Sequence, residues 1–168
     1  PYGQGKAERR RQLAGAAQRR LQCPVLYVNQ VGGNDELIFD GNSFVLDATG
    51  ELQEQLPCGE SDLQIWDSDA PLSPTRPTLL SPEAELWRML VLGVQDYARK
   101  CGFQKALLGL SGGIDSALVA ALAVAALGNQ QVRALLMPSP YSSEGSLNDS
   151  LTLASRLNLA TSTVPIEP

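Results

Sequence analysis

The sequence predicts an α/β protein built in two parts, and three observations support that prediction. Residues 24–56 form short β-branched and aromatic runs separated by turn-forming glycine, asparagine and aspartate. Residues 83–168 instead alternate strand-like apolar runs with helical segments, which predicts βαβ units and a parallel sheet. Between the two parts, four prolines within the twelve residues 71–82 favour an extended connector.

The first part is predicted to open with a helix. After its opening glycine, the segment 5–22 has only Gly15 as a breaker and carries Leu13, Ala17 and Leu21 at helical spacing. The run that follows predicts a β-meander, and residues 63–67 predict one further short strand. We interpret the basic residues of the first twenty positions as a solvated helix face; they are Lys6, Arg9, Arg10, Arg11, Arg19 and Arg20.

The second part is also predicted to begin with a helix, which runs to about Lys100. Ser81 is a suitable cap, Pro82 suits the first helical position, and the acidic residues after them favour the positive end of the helix dipole. The alternation continues with strands at 105–110, 132–138 and 162–166, a helix that ends near Ala126 and a helix over about 143–157.

Composition narrows the classes of partner and location. A net charge of -5 argues against nucleic-acid and anionic-membrane surfaces. No apolar stretch reaches the roughly 18 residues of a membrane span, and the opening residues lack a signal-peptide pattern. Three cysteines without CxxC spacing predict neither a disulfide framework nor a zinc site, so a cytoplasmic location fits. With 0 histidines, Ser-His and Cys-His catalytic arrangements are impossible within this chain.

The strongest local signal is a small-residue loop between a predicted strand and an alanine-rich helix. Glycines let the backbone turn sharply and point amides at an anion, and serines add hydroxyl donors, so the loop predicts a phosphate cradle. It matches neither a Walker loop nor G-x-G-x-x-G. The residues concerned are Gly109, Leu110, Ser111, Gly112, Gly113, Ile114, Asp115 and Ser116.

Asp115 points to a metal ion. A carboxylate beside phosphates repels them unless a divalent cation lies between, so Asp115 predicts a magnesium ligand. The alternative is a glycine-rich turn that only caps the next helix, with Asp115 and Ser116 as ordinary first-turn residues. Serines on both sides, a strand before and a helix after favour the phosphate site.

The loop and its flanks resemble a known family. SGGIDS alone resembles the pyrophosphate loop (PP-loop) of ATP pyrophosphatases, which include the amidotransferases that make GMP and asparagine. The longer match over about 83–168 resembles NAD synthetase. Upstream segments and the proline-rich joint resemble the end of the nitrilase-like glutaminase domain of glutamine-dependent members. The matching stretches are 96–128, 135–159 and 164–168 for the synthetase, and 1–10 and 24–51 for the glutaminase.

The resemblance implies a domain plan. Residues 1–70 would be the C-terminal part of a nitrilase-like (carbon-nitrogen hydrolase) α-β-β-α sandwich, and residues 71–82 a proline-rich linker. Residues 83–168 would be the first half of a doubly wound, adenine nucleotide α-hydrolase-like parallel-sheet domain. The chain would then be an internal slice of a longer protein, which forms homo-oligomers at full length.

The resemblance also implies an activity, a ligase reaction of NAD biosynthesis. ATP and Mg²⁺ would adenylate deamido-NAD with release of pyrophosphate, and ammonia, free or from glutamine, would then displace AMP. Residues 109–116 would bind ATP, with Asp115 as the Mg²⁺ ligand and residues 135–139 beside the nucleotide. Lys6 matches a glutamine-contacting position, and a solvated helix-end lysine is its alternative. Tyr141 and its neighbouring serines match a family motif or form a turn and helix cap.

The resemblance places no glutaminase catalytic residue in this chain. The family's glutamate, lysine and cysteine lie upstream of the point corresponding to Pro1, and neither Cys23 nor Cys58 occupies a nucleophile context. The family segments that complete the deamido-NAD site lie downstream of the point corresponding to Pro168. We therefore expect the 168-residue chain to perform neither half-reaction alone. Two other function classes remain open: another PP-loop ATP pyrophosphatase, such as a GMP-type amidotransferase, and a non-catalytic nucleotide-binding fragment.

Overall fold

The computed structural model describes residues 1–69 and 80–166. Most of the predicted linker, including Pro71, Pro74 and Pro77, lies outside these residues. The chain forms two compact units, Pro1–Gly93 and Val94–Pro168. Within the described ranges, no helix has both the length and the apolar character needed to cross a membrane.

The first unit combines a helix with two small antiparallel sheets. Helix α1 covers Lys6–Leu21, as predicted, and contacts strands β1 and β4. One sheet has the order β1-β4-β5, and β2 pairs with β3 in a separate hairpin. The strands are β1 (Val25–Tyr27), β2 (Val31–Asn34), β3 (Leu37–Asp40), β4 (Phe44–Leu46) and β5 (Leu52–Gln55).

The predicted β-meander is wrong in its connectivity. A meander pairs each strand with the next, whereas β1 pairs with β4 and the β2–β3 hairpin is inserted between them. Gly41 and Asn42 have φ angles of 65° and 52°, so the chain turns out of the hairpin directly after β3. The strand predicted at 63–67 is absent. Leu63 and Ile65 are 86% and 93% exposed, and this segment has no partner strand among the described residues.

The second unit is a parallel sheet with helices, which confirms the α/β class. Helix α2 (Pro82–Cys101) starts where predicted, with the Ser81 hydroxyl accepting a hydrogen bond from the Ala84 amide at 3.2 Å. The boundary between the two units falls inside α2, after Gly93. The sheet order is β6-β7-β8. The remaining elements are β6 (Ala106–Gly109), α3 (Ile114–Leu127), β7 (Val132–Leu136), α4 (Glu144–Arg156) and β8 (Ala160–Thr163).

Alanines dominate the core of the second unit. Ala120 of α3, Ala134 of β7 and Ala154 of α4 are at most 1% exposed and belong to one cluster. Small side chains let both helices lie close to the sheet, which fixes the helix starts relative to the strand ends. Strand β8 covers 160–163 and so begins two residues before the predicted 162–166. Beyond Thr163, the amides of Val164 and Ile166 still donate to the carbonyls of Leu136 and Pro138, each at 2.8 Å.

Candidate functional site

The glycine loop lies at the carboxyl end of the parallel sheet. Strand β6 ends at Gly109 and α3 begins at Ile114, so the predicted ATP-binding residues run from the end of β6, through the connection, into the first turn of α3. The loop borders a cleft of about 120 Å³, lined also by the end of β7 and the first turns of α4. Ligands of open α/β sheets bind at this kind of position.

Gly112 is required by the backbone geometry. Its φ is +80°, and a Cβ atom at this position would lie 2.4 Å from the carbonyl oxygen of Ser146. The first turn of α4 therefore packs directly on the loop backbone. Gly113 has a φ of -84°, and its Cβ would meet only the Ser111 hydroxyl, at 3.5 Å. The need for glycine is therefore concentrated at position 112.

The two serine hydroxyls of the loop bond to the loop itself. The Ser111 amide donates to Ser116 Oγ at 3.2 Å, and Ser116 Oγ donates to the carbonyl of Gly113 at 3.0 Å. The two hydroxyl oxygens are 3.1 Å apart. Ser111 and Ser116 thus brace the loop shape, a contribution that the sequence interpretation of hydroxyls as anion donors did not include.

Several loop amides remain available to a ligand. The Leu110 amide is used by the sheet, donating to the Leu135 carbonyl at 2.9 Å. The first turn of a helix has no internal acceptors for its amides, and the helix dipole makes this end attractive to anions. The amides of four residues donate no hydrogen bond to any residue that the structure describes: Gly112, Ile114, Asp115 and Ser116.

Asp115 is exposed on the first turn of α3. The described residues contain no cluster of three or more His, Cys, Asp or Glu side chains that could hold a metal. A cation here would take one carboxylate from the protein and its other ligands from phosphates and water. Mg²⁺ commonly binds in this way, so the residues present fit it.

The serines after β7 form a turn and a helix cap. The Ser143 hydroxyl accepts from the Ser146 amide at 3.1 Å and caps α4. The Ser139 amide donates to Ser142 Oγ at 2.9 Å. The Tyr141 side chain is 96% exposed. These contacts match the turn-and-cap alternative, and the end of β7 within 135–139 lines the cleft.

Lys6 lies in the first unit, at the start of α1, and is exposed. Its amide donates to the Gly3 carbonyl at 3.0 Å. Its aliphatic stem runs close to Gly3, where a Cβ would lie 3.0 Å from Lys6 Cδ. A cavity of about 650 Å³ near the start of α1 is lined by residues that include Gly5 and Arg11 but not Lys6.

Cys58 is a poor nucleophile. Its thiol is half-buried and lies 3.7 Å from the Glu85 carboxylate. Burial, followed by the charge of Glu85, raises the pKa of the Cys58 thiol to about 11. The reactive thiolate is therefore scarce at neutral pH, which agrees with the exclusion of Cys58 as a catalytic residue.

The solvated-face interpretation of the basic residues is wrong for Arg10. Its guanidinium donates to both carboxylate oxygens of Asp40, at 2.8 and 2.9 Å, and the two side chains are only 14% and 2% exposed. Burial would raise the pKa of Asp40, but the hydrogen bonds from Arg10 and Asn42 and the Arg10 charge outweigh it and lower that pKa. The partners are 30 residues apart, so no local pattern could reveal the pair.

Comparisons with known proteins agree with the resemblance seen in the sequence. The family model for NAD synthase matches residues 86–168. A glutamine-dependent NAD(+) synthetase of Synechocystis sp. is 49% identical over 173 residues, covering 100% of this chain and 31% of the relative. The glutamine-dependent NAD(+) synthetase of Rhodobacter capsulatus is 45% identical, and the match covers 99% of this chain and 31% of that relative.

The fold comparison gives the same result. The glutamine-dependent NAD+ synthetase of Acinetobacter baumannii, solved in complex with ADP, superposes with a TM-score of 0.93 at 40% identity. The superposition covers 99% of this chain and 32% of that structure. The chain therefore spans about a third of the length of the relatives it matches.

Proposed function

Because this chain is related over its whole length to the glutamine-dependent NAD+ synthetases, we propose that it is part of a ligase that makes NAD. The reaction is the ATP- and glutamine-dependent amidation of deamido-NAD through an adenylate. The observation that carries the proposal is the connection between β6 and α3, which offers free amides at a helix start. The family match over 86–168 favours this activity over a GMP-type amidotransferase or a non-catalytic nucleotide-binding fragment.

In this proposal residues 109–116 bind the phosphates of ATP. The unbonded amides of Gly112 and of the first turn of α3 donate to phosphate oxygens and stabilise the charge that develops on departing pyrophosphate. The braces from Ser111 and Ser116 hold these amides in place before ATP arrives. Asp115 holds Mg²⁺, which neutralises phosphate charge when bound. The relative from A. baumannii was solved with ADP, which supports a nucleotide site.

The proposal also assigns the rest of the chain. Residues 1–70 are the end of a nitrilase-like glutaminase domain in which Lys6 contacts glutamine, and residues 71–82 are the linker. Residues 83–168 begin a doubly wound sheet. The separation of the chain into two compact units supports a two-part plan. The same proposal includes a cytoplasmic location and a homo-oligomer at full length.

The test replaces Asp115 in a full-length synthetase that contains this chain. We expect Asp115→Asn to lower ATP-dependent pyrophosphate release by about 10²-fold or more, because a metal contributes several kcal/mol and each ~1.4 kcal/mol is tenfold in rate. Glutamine hydrolysis should continue, because the change removes nothing from the first unit.

Asp149→Asn is the matched control, since Asp149 is an exposed carboxylate on α4 of the same unit. Wild-type pyrophosphate release in Asp115→Asn, with an unchanged dependence on Mg²⁺, would contradict the assignment of the metal site.

A further inference from the structure

The first three residues of the chain are held in place by hydrogen bonds to their backbone. The Pro1 carbonyl accepts a hydrogen bond from Arg10 Nη2 at 2.8 Å. The Tyr2 amide donates to the Ile38 carbonyl at 2.6 Å, and the Gly3 carbonyl accepts from the Lys6 amide. Gly3 thus lies between two fixed points, and its backbone position is set by contacts outside the segment.

The Lys6 side chain depends on that backbone. Its Cδ, Cε and Cγ atoms would lie 3.0 to 3.4 Å from a Cβ placed on Gly3, so the stem passes over the glycine with little room to spare. The Lys6 stem therefore lies against the Gly3 backbone, which limits the directions open to the stem at the helix start.

Asp40 holds Arg10 in the orientation that reaches Pro1. The carboxylate of Asp40 accepts two hydrogen bonds from Arg10, one from Asn29 and one from Asn42, at 2.8 to 3.3 Å. Asn29 and Asn42 hold the carboxylate, and the two bonds from Arg10 orient the guanidinium so that Nη2 also donates to the Pro1 carbonyl. Arginine can do this because its planar fork carries several donors in a rigid arrangement, whereas lysine is a point charge on a flexible stem.

We propose that Arg10, oriented by Asp40, is a positioning residue for glutamine: it fixes the backbone of residues 1–3, against which the glutamine-contacting Lys6 side chain lies. The inference rests on the proposed function, because it takes Lys6 as a glutamine contact. Arg10 acts through Gly3 and Lys6 and touches no substrate itself.

The test measures NAD formation by a full-length synthetase that contains this chain, with glutamine or ammonium as the nitrogen donor. Arg10→Lys should raise the KM for glutamine about tenfold, the effect of losing one hydrogen bond to a charged group. The kcat with ammonium should stay near wild type, and the Tm should fall less than in Asp40→Asn, because lysine keeps a positive charge opposite Asp40. Arg9→Lys is the matched control, an exposed arginine of the same helix, and should change none of these values.

A double variant shows whether Arg10 acts through Lys6. In Lys6→Ala, where the contact is already gone, adding Arg10→Lys should not raise the glutamine KM further. Gly3→Ala provides a second route that leaves the buried pair intact. It should raise the glutamine KM a few-fold by displacing the Lys6 stem, with ammonium-dependent kcat unchanged.

The outcomes separate the inference from the proposed function. A wild-type protein that makes NAD from neither donor overturns the proposed function and the inference with it. If the wild type uses glutamine, three results overturn the inference alone: an unchanged glutamine KM in Arg10→Lys or Gly3→Ala, equal losses with both donors, or full additivity with Lys6→Ala. A selective and non-additive rise in the glutamine KM supports it.

Discussion

Two helix N-termini of the molecule, that of α3 after the glycine loop in the second unit and that of α1 in the first unit, are held in place in different ways. The loop is fixed by bonds among residues 109–116 and by the backbone of α4 against Gly112. The start of α1 is fixed by a buried ion pair between Arg10 and Asp40, residues that are 30 positions apart.

The two sites differ in how far along the sequence the residues that determine their conformation lie. In the loop, residue types at short spacing determine the shape, since small side chains, a positive φ and two nearby hydroxyls are sufficient. At the start of α1, the conformation depends on the carboxylate of Asp40, the last residue of β3. Substitutions in the loop should therefore act through local backbone strain, and those at α1 through unpaired buried charge.

The largest expected effect is that of Gly112→Ala, which tests the local half of the comparison. The methyl group would lie 2.4 Å from the Ser146 carbonyl oxygen, so the loop must shift by about 1 Å to reach an ordinary contact. A displacement of that size near the chemistry costs on the order of 10²-fold, and a non-glycine residue at positive φ adds about 1–2 kcal/mol. We expect ATP-dependent NAD formation by a full-length synthetase to fall about 10³-fold.

Gly128→Ala is the matched control for this prediction. Gly128 also has a positive φ, +85°, but a Cβ there meets nothing within 4 Å. It should cost stability without a comparable loss of kcat/KM. Equal losses in the two variants would show that the contact with α4 does not matter.

The next largest effect is on the free energy of unfolding, and it tests the long-range pair between Arg10 and Asp40. Asp40→Asn leaves the Arg10 guanidinium buried without its counter-charge, and breaking such a pair costs about 3 kcal/mol. The folded-state pKa of Asp40 is lowered, so its carboxylate stabilises the fold above its unfolded pKa and loses that contribution as the pH falls through the folded value. The difference between wild type and Asp40→Asn should therefore be full at pH 7 and shrink below about pH 4.

Urea denaturation midpoints at the two pH values measure this difference. Asp35→Asn, at an exposed carboxylate in the turn between β2 and β3, is the control and should show little change at either pH. A wild-type advantage over Asp40→Asn that persists in acid would mean that the carboxylate charge is not what holds α1.

The smallest expected effect belongs to Ser116→Ala. It removes the hydroxyl that donates to the Gly113 carbonyl and accepts from the Ser111 amide, while the backbone turn stays in place. A neutral hydrogen bond contributes about 1 kcal/mol, so the KM for ATP should rise about tenfold or less. Steady-state kinetics with varied ATP measures this KM. A loss as large as that of Gly112→Ala would show that the Ser116 hydroxyl matters as much to the loop as the close contact at Gly112.

The sequence predicts α2 and most of the second unit because their signals are local. Ser81 and Pro82 start α2 as expected, and the loop residues 109–116 run from the end of β6 into the first turn of α3. The first unit is harder to predict, because its strands are short and their pairing depends on which runs meet in space. The chain leaves the β2–β3 hairpin at Gly41 and Asn42, and nothing nearby in the sequence shows that β4 then returns to β1.

The candidate site divides in the same way. The position of the loop and the capping role of Ser143 follow from the residues themselves. Two features do not: the brace between Ser111 and Ser116, which is a matter of hydroxyl direction, and the burial of Arg10, which is decided by a distant aspartate.

The contact between Gly112 and Ser146 also bears on how the second unit moves. Since even a Cβ on Gly112 would lie 2.4 Å from the Ser146 carbonyl oxygen, a rotation of the loop at this point must displace the first turn of α4. We therefore expect the motions of the two segments to be coupled. An anion that binds the loop and reduces its motion should therefore also slow amide hydrogen exchange in α4, although α4 follows the loop by some thirty residues along the chain.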